Sequence, residues 1–469
     1  MFDLFSSKPK YPPLQFRPRA NQFLEYVFDE KNGVMHRLAN GHLHFTAFLE
    51  GSGQELITYG AIVLGKLLRG ENVDDLLPSL ADYYSDEYGI YQNGVGDKRS
   101  EYWYLMHVNA LAWCITRLAL MDDPVSVQRL KSSMNRLMEL AHQIDYDFND
   151  QGYDFENSRS FTNQDAYRQP DTIGAYSYLM QFGYETFGEA EYQAEASLAM
   201  QKYLSFADNP WYEIPSGAMA CLAVARMNAQ GHGFSLNKAV SFALDSHQGS
   251  LHVGHWGGLE INGLMRGWKG HSREEASSMA YSLETLVLLP YLLPVARYDH
   301  QIAKQIGRYA LHTAANMRLF YSEFFSLEAQ GRPDLTPVVP YEAVHRERKG
   351  HSPYATGDFH GQKSVYGGAL TLWWGEIVRS TSDPYVLELD LTKTDFLGMS
   401  DKTAPVGGNS VCMYYNPHRY DIDVTISLGD VPVDLYDART QSLLQANISN
   451  SAILHLDADS ATIVNIVKR

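Results

Sequence analysis

At 469 residues, 45% hydrophobic and 20% charged, the chain is long and apolar enough for one large domain with a smaller companion. That balance excludes a disordered chain. A formal net charge of −17 disfavours nucleic acid and anionic membrane surfaces as partners, because both repel an acidic protein.

The opening stretch MFDLFSSKPKYPPLQFRPRAN has no apolar run of the secretory kind. Residues 1–20 are expected to form an N-terminal extension of a soluble, cytoplasmic protein. No uninterrupted apolar stretch reaches the roughly 18 residues of a membrane span. From Gln54 to Thr381 the apolar spacing is helical. ELITYGAIVLGKLLRG stops on Gly70, SEYWYLMHVNALAWCITRLAL follows, and PVSVQRLKSSMNRLMELAHQI starts on Pro124, which suits a first helical turn. PDTIGAYSYLMQFGYETFG, AEYQAEASLAMQKYLSFA, SGAMACLAVARMNAQG and LNKAVSFALD continue the series. After a glycine-rich gap come SREEASSMAYSLETLVLLPYLL, HQIAKQIGRYALHTAANMRLFY and GQKSVYGGALTLWWGEIVRST. The pattern predicts about ten or more helices, many paired by short loops, with no strand pattern between them. That excludes a β/α barrel or a doubly wound sheet. Residues 21–382 are therefore read as one helical domain.

Beyond Asp383-Pro384 the texture changes. VLELDL, VCMYYN, DIDVTISL, VPVDLYDA, LLQANIS, AILHLDA and ATIVNIV are short β-favouring runs between turn residues. DIDVTISL and AILHLD alternate apolar with polar side chains, as strands with one wet face do. Residues 383–469 are expected to form a small antiparallel β-sandwich, docked on the helices through Leu387 to Phe396.

Cys114, Cys221 and Cys412 are widely spaced without a CxxC pair, and the first two sit in apolar helical runs. They read as buried free thiols of a reducing compartment. The aromatic content is high, with 31 Tyr, 20 Phe and 7 Trp. Rings with polar tips suit a concave site that stacks on sugars and hydrogen-bonds hydroxyls, besides ordinary helix packing.

Polar clusters fall between the predicted helices. In FTNQDAYRQPDTIGAY, Asp171 follows Pro170 at a helix start, where a carboxylate serves equally as a cap, and Arg168 and Gln169 precede it. NPWYEIPSGA sets Glu213 beside Trp211 and Tyr212 in a proline-flanked turn, the composition of a sugar subsite with an acid at its side. SHQGSLHVGHWGGLEINGLMRGWKGHSREEA carries His252, His255, Trp256 and Glu260 without helical period. It lacks the HExxH helix or third acidic ligand of a metal site. No metal or cofactor is expected. Trp256 and Glu260 read as exposed at a cleft. YEAVHRERKGHSPYATGDFHG, residues 341–361, packs Tyr341, Glu342, His345, Arg346, Arg348, His351, Tyr354, Asp358 and His360 into one loop broken by Gly350, Pro353, Gly357 and Gly361. So long a loop inside a compact domain points to function.

Paired helices, acids on their loops and a terminal β-run together resemble the six-hairpin glycosidase-like (α/α)6 barrels. The similarity at motif level rests on YRQPDTIGAYSYL, NPWYEIPSGA, HWGGLEINGLMRGW, YEAVHRERKGHSPYATGD and VPVDLYDARTQSLLQANIS. It resembles bacterial (α/α)6 proteins of a poorly characterised family and implies a mostly α protein: an (α/α)6 toroid, then a small C-terminal antiparallel β-sandwich. It also implies a carbohydrate-active enzyme, with an acid where this chain has Glu260. The similar segments would carry Glu where this chain has Gln169.

Glycoside hydrolysis needs two carboxyl groups, about 5–5.5 Å apart for retention or about 6.5–9.5 Å for inversion. Asp171, Glu213, Glu342 and Asp358 are the candidates, with Glu342 as general acid and Asp171 or Asp358 as base. Trp211, Tyr212, Trp256 and Tyr354 would form stacking walls, while Arg168 and Arg346 would steer hydroxyls or a uronate carboxylate. A polysaccharide lyase built on Tyr341, His345, Arg346, His351 and Tyr354 is the alternative reading. A sugar isomerase, and a non-catalytic carbohydrate-binding protein whose acids only cap helices, also stay open. A homo-oligomer is compatible with all of these.

Overall fold

The computed structural model describes residues 5–49, 51, 53–162, 168–267, 269, 278–321, 323, 325–326, 330, 335, 338–346, 362–396 and 409–469, and the backbone alone at 354–355. Its helices are α1 (Phe16–Phe28), α2 (Leu56–Leu68), α3 (Tyr102–Ala119), α4 (Pro124–Gln143), α5 (Thr172–Phe187) and α6 (Ala190–Ser205). α7 (Ser216–Ala229), α8 (Leu236–Ala243), α9 (Ser282–Leu292), α10 (Ala303–Asn316) and α11 (Val365–Ile377) follow. Three of the starts, those of α4, α8 and α11, have a capping side chain of the expected kind, and that of α4 also has a proline. Asp123, for example, accepts from the Ser126 amide at 3.0 Å ahead of Pro124, and Ser364 Oγ accepts from the Gly367 amide at 2.8 Å.

Burial sorts these helices into two layers. Every residue of α9 and α11 is buried, whereas α4 buries Leu130, Met134, Leu137 and Ala141, one stripe at helical spacing. The all-apolar helices pack in a closed sequence: α2 on α3, α3 on α5, α5 on α7, α7 on α9, α9 on α11, and α11 back on α2. Outside them, α1 covers α11, α4 covers α3 and α5, α6 covers α5, α8 covers α7 and α10 touches α9. A 3₁₀ segment, Leu77–Tyr83, fills the outer position against α2. The chain thus alternates between an outer and an inner element around a ring. Glycines set how closely the inner helices approach. A Cβ on Gly65 would lie 2.5 Å from Leu372 Cβ, and one on Gly368 would overlap the Phe23 ring.

α11 runs directly into the C-terminal sheet. Six antiparallel strands lie in the order Val378–Ser380, Leu387–Asp390, Ser410–Asn416, Ser460–Lys468, Val433–Asp437, Leu443–Ile448. A separate pair, Ile422–Ser427 with Ser451–Leu456, alternates exposed and buried side chains. Val424, Ile426, Leu454 and Leu456 from this pair share a buried cluster with Cys412, Tyr414, Leu435 and Val464 of the larger sheet. The sheet docks on the ring through the expected segment. Thr394 Oγ1 donates to Pro290 O at 2.6 Å, Arg297 pairs with Asp395 at 3.2 Å, and Phe396 meets Trp373 edge-on at 5.6 Å.

Three features differ from the sequence reading. α1 spans the expected boundary at residue 20 and belongs to the ring. The sheet begins at Val378, ahead of residue 383. The apolar run 272–293 is not one helix: Met279–Tyr281 is a strand whose register pairs Met279 with His345 and Tyr281 with Ala343. A second ribbon, Arg99–Glu101 with Gly152–Asp154 and Arg159–Phe161, also lies between helices. Strands of three residues are too short to show a period of two, which is why the helical period hides them. All three cysteines are buried and unpaired. Among the described residues no helix is long and apolar enough to cross a membrane.

Candidate active site

The inner helices are introduced, almost one for one, by an acid. Glu55 is the N-cap of α2, Glu101 of α3 and Asp171 of α5; Glu213 lies in the turn before α7, and Glu284 in the first turn of α9. Unsatisfied amides and the partial positive charge of a helix start favour a carboxylate there. A ring therefore gathers those acids toward one end. Glu342 joins them from the other direction. Its carbonyl accepts from the Ser282 amide at 2.8 Å and its amide donates to Gln362 O at 3.0 Å, fixing it between α9 and α11.

The outcome is a pocket of about 320 Å³ lined by Glu101, Glu213, Glu284 and Glu342 together with Trp103, Tyr104, Tyr212, Tyr281, Leu283 and Tyr366. Each acid is held differently. Glu101 accepts from Gln151 Nε2 at 2.9 Å and from Gln169 Nε2 at 2.8 Å, while Gln169 Oε1 accepts from the Trp103 amide at 2.8 Å. Glu342 Oε1 accepts from the Tyr366 hydroxyl at 2.8 Å. Glu213 and Glu284 are hydrogen-bonded to each other. Burial first, then the charge of Glu284, pushes the Glu213 carboxyl well above the carboxylate range. Burial pushes Glu284 up to about 7, against the opposing pull of the bond from Glu213. That bond raises one partner and lowers the other, so Glu213 is the protonated donor and Glu284 the carboxylate. Tyr104 and Tyr366 are also pushed up, by burial and then by the neighbouring glutamates.

The pocket brings together three of the residues named from the sequence: Glu342, Glu213 and Tyr212. Asp171 is buried beside them, close enough for its charge to bear on Glu213. Burial raises its carboxyl to about 7 although the Tyr212 and Glu213 amides pull it down. It stands behind the lining. Tyr341 is buried, with the Lys363 ammonium 3.5 Å from its ring centre. His345 and Arg346 lie at the end of the strand Ala343–His345, where the Arg346 amide donates to Ser278 O at 2.6 Å. Tyr354 pairs with His345 through its backbone, and its side chain lies outside the described residues, as do Asp358 and His351. Arg168 is exposed.

Two of the expected stacking walls lie elsewhere. Trp211 is buried with its indole N–H on Gln248 O, and Trp256 is buried edge-on to His252 at 5.0 Å. Glu260, read as exposed at a cleft, is buried in a different cluster, between His312 Nδ1 at 2.7 Å and Asn316 Nδ2 at 3.2 Å. His252 is neutral, its pKa lowered to about 3 by burial, with Nε2 donating to Met279 O at 2.6 Å. Among the described residues the only grouping of three potential metal ligands is Asp421, His455 and Asp457, all exposed on the C-terminal sheet.

Glu101, Glu284, Tyr104 and Tyr366 were not singled out by their motifs. SEYWYLM and AYSLETL read as plain helix starts. The signal that finds them is positional: each lies at the entry of a helix buried all round, the place occupied by Asp171 in PDTIGAY and Glu213 in YEIPSGA.

No family model matches the chain, and no curated protein matches it at a significant level. The chain is similar to several solved structures. A sugar epimerase from a ruminal bacterium is 9% identical, with a TM-score of 0.49, over 77% of this chain and 98% of its own. A family 76 glycoside hydrolase, a mannosidase, from Bacteroides thetaiotaomicron is 10% identical, with a TM-score of 0.48, over 77% and 97%. Cellobiose 2-epimerase from Spirochaeta thermophila is 10% identical, with a TM-score of 0.47, over 77% and 95%.

Proposed function

We propose that the chain is an (α/α)6 toroid with a C-terminal β-sandwich, and that it hydrolyses glycosidic bonds in the pocket at the N-terminal ends of its inner helices. The observation that carries this reading is the Glu213–Glu284 pair. Two buried carboxyls share a proton in a cavity that also holds Glu342 and an aromatic lining. Proton-sharing acids next to a further carboxylate are the arrangement that splits the acid and base roles of glycoside hydrolysis.

In this reading Glu213 is the general acid. Its proton passes to the glycosidic oxygen as the bond to the leaving sugar breaks, and the Glu284 carboxylate holds the acid in position beforehand. Glu342, oriented by Tyr366, takes the proton of the attacking water, whose oxygen bonds to the sugar carbon. Trp103, Tyr104 and Tyr212 offer ring faces to the sugar. Asp171, behind Glu213, contributes a nearby charge that helps keep the proton on the acid. A lyase or a sugar isomerase calls for arginine, asparagine or histidine at the reacting carbon. None is among the described residues that line the pocket.

The test is a panel of oligosaccharides, followed for new reducing ends and for the ultraviolet absorbance of unsaturated uronates. New ends without that absorbance, reduced about 10²–10⁴-fold in Glu213→Gln, are expected. Unsaturated products, or an isomerised sugar with every linkage intact, would overturn the reading.

A further inference from the structure

The connections that enter the inner helices are tied to one another all the way round the ring. At the start of α2, the Leu56 amide donates to Asn93 O at 2.8 Å, in the segment that leads to α3. The strand Arg99–Glu101 runs straight into α3, and close by the Gln169 amide, ahead of α5, donates to Asp150 O at 3.2 Å. Between α5 and α7 the Asp171 carboxyl faces the Tyr212 and Glu213 amides. Tyr212 O accepts from the Lys269 amide at 3.0 Å, and in the same loop Met265 O accepts from the Tyr281 amide, just before α9, at 2.9 Å. The Ser282 amide donates to Glu342 O at 2.8 Å, and the Glu342 amide donates to Gln362 O, ahead of α11, at 3.0 Å. Val365, which starts α11, donates its amide to Ala47 O at 2.8 Å, and the Ala47 amide donates to Gly53 O at 3.2 Å, just before the Glu55 cap of α2. The circuit closes. These residues form a collar of tied chain around the acids that line the pocket.

Two opposite parts of the collar are built up further. α3 and α9 face each other across the ring, separated by α5 and α7 on one side and by α2 and α11 on the other. Each is entered from a three-stranded antiparallel ribbon, 99–101 with 152–154 and 159–161, and 279–281 with 343–345 and 354–355. The last residue of each entering strand, Glu101 or Tyr281, lines the pocket. Both ribbons are tightly held. A Cβ on Gly152 would overlap Ser100 O, and Met279, Tyr281 and Ala343 form a buried cluster of their own.

A glycan cut in its interior must leave the site on both sides of the reacting bond, which calls for two gaps in the surrounding wall. Among the described residues the collar has none, and opening one would leave backbone donors and acceptors unpaired. The space inside is about 320 Å³, at the small end of the roughly 300–1,000 Å³ of ligand pockets. A sugar unit or two fills it.

We propose that the collar makes this site a pit, so that it takes the end of a glycan, one or two units deep, and not the interior of a chain. This rests on the pocket being the site of glycoside hydrolysis and names the class of its substrate: disaccharides and chain ends.

The experiment pairs calorimetric titration of the full chain with product analysis, using cello-, malto-, manno- and chito-oligosaccharides of two and six units. In a series that binds, the hexasaccharide is expected to bind no more than about threefold more tightly than the disaccharide, because units beyond the second lie outside the collar. A hexasaccharide labelled at its reducing end should be shortened by one or two units at a time, with no three-unit species among the first products. A larger gain in affinity for the hexasaccharide, three-unit first products, or binding in none of the four series overturns the proposal. The two readings fail separately. Binding that is complete at the disaccharide, without cleavage of any glycan, would sustain the pit and defeat hydrolysis. Cleavage at interior bonds would sustain hydrolysis and defeat the pit.

Discussion

Two acidic clusters flank the ring, and the difference between them is in their partners. In the pocket, the described contacts of the acids are with another acid and with neutral donors: Glu213 bonds Glu284, Glu101 is held by Gln151 and Gln169, and Glu342 accepts from Tyr366. In the cluster where the N-terminal segment and the C-terminal sheet meet α10, acids face cations. Glu260 accepts from His312 at 2.7 Å, and Asp459 pairs with Arg308 at 2.9 Å and Lys304 at 2.8 Å while accepting from Tyr415 at 2.8 Å. His312 and Arg308 also donate to the carbonyls of Ser6 and Phe5, which ties the chain start to the ring. A buried acid paired with a cation has settled its charge and serves structure. A buried acid paired with another acid has a proton to give. Burial alone does not separate the two.

The largest expected effects set these clusters against each other. Glu213→Gln should cut turnover about 10²–10⁴-fold with little loss of stability, because it relieves repulsion between buried carboxyls. Glu260→Ala should do the opposite. It leaves His312 and Asn316 without their acceptor, at a cost of about 3–5 kcal/mol, with kcat per folded molecule unchanged. Chemical denaturation beside initial rates measures both. A Glu260→Ala protein that folds as well as the wild type but has lost turnover would erase the distinction.

The next effect is in pH, and the two clusters have opposite signs. Glu284 and Asp171 have folded values raised to about 7, so at neutral pH the folded chain holds protons the unfolded chain has released. Their contribution is complete below the unfolded carboxylate value, about 4, and is lost as pH rises through about 7. Glu260 and Asp459 are lowered. Burial works against each, but His312 and Asn316 in one case, and Lys304, Tyr415 and Arg308 in the other, hold the carboxyl below its usual range. Their contribution is present above the unfolded value and is lost as pH falls through the folded one. Unfolding free energy followed from about pH 5 to about pH 8 should decline by a few kcal/mol, and Glu284→Gln should flatten that slope. An unchanged slope in Glu284→Gln would show that the pair does not carry the shifted proton.

A smaller effect is expected at Gln169, the position where the resembling segments would carry Glu. Here the amide donates to Glu101 and accepts from the Trp103 backbone, a pair of roles a carboxylate cannot fill. Gln169→Glu should cost about 1–3 kcal/mol and displace Glu101 from the pocket wall, seen as a lower melting temperature and a raised KM.

Much of the ring was legible because inner helices are apolar all round and outer ones are striped, and a period of 3.6 survives in both. The C-terminal strands were legible in DIDVTISL and AILHLD, whose alternation matches the exposed–buried alternation of Ile422–Ser427 and Ser451–Leu456. Glu213, Tyr212 and Glu342 could be named because aromatics or prolines flank them in turns. Glu101 and Glu284 sit inside helical runs where an acid near a helix start is ordinary. Trp256 and Glu260 look like a cleft in sequence because glycine and histidine surround them, and Trp211 because prolines flank its turn. Glu260 is claimed by His312, which lies in another helix and leaves no trace in the local motif. Which acid finds a cation depends on contacts across the ring, and those are not local.

The finest comparison uses the same deletion in both clusters. Tyr366 donates to Glu342 at 2.8 Å, and Tyr415 donates to Asp459 at 2.8 Å while accepting from Arg308 Nε at 3.0 Å. Each phenylalanine variant removes one hydroxyl and keeps the ring, so each should cost about 1 kcal/mol of stability. The kinetic outcomes should part. Asp459 keeps its two cations when Tyr415 is changed, and turnover should stay at the wild-type level. Glu342 loses the hydroxyl that orients it, so Tyr366→Phe should lower kcat with KM largely unchanged, the signature of a positioning group for the base. Equal kcat in the two variants would mean that Glu342 needs no orientation by Tyr366, and the base would then have to be sought at Glu101.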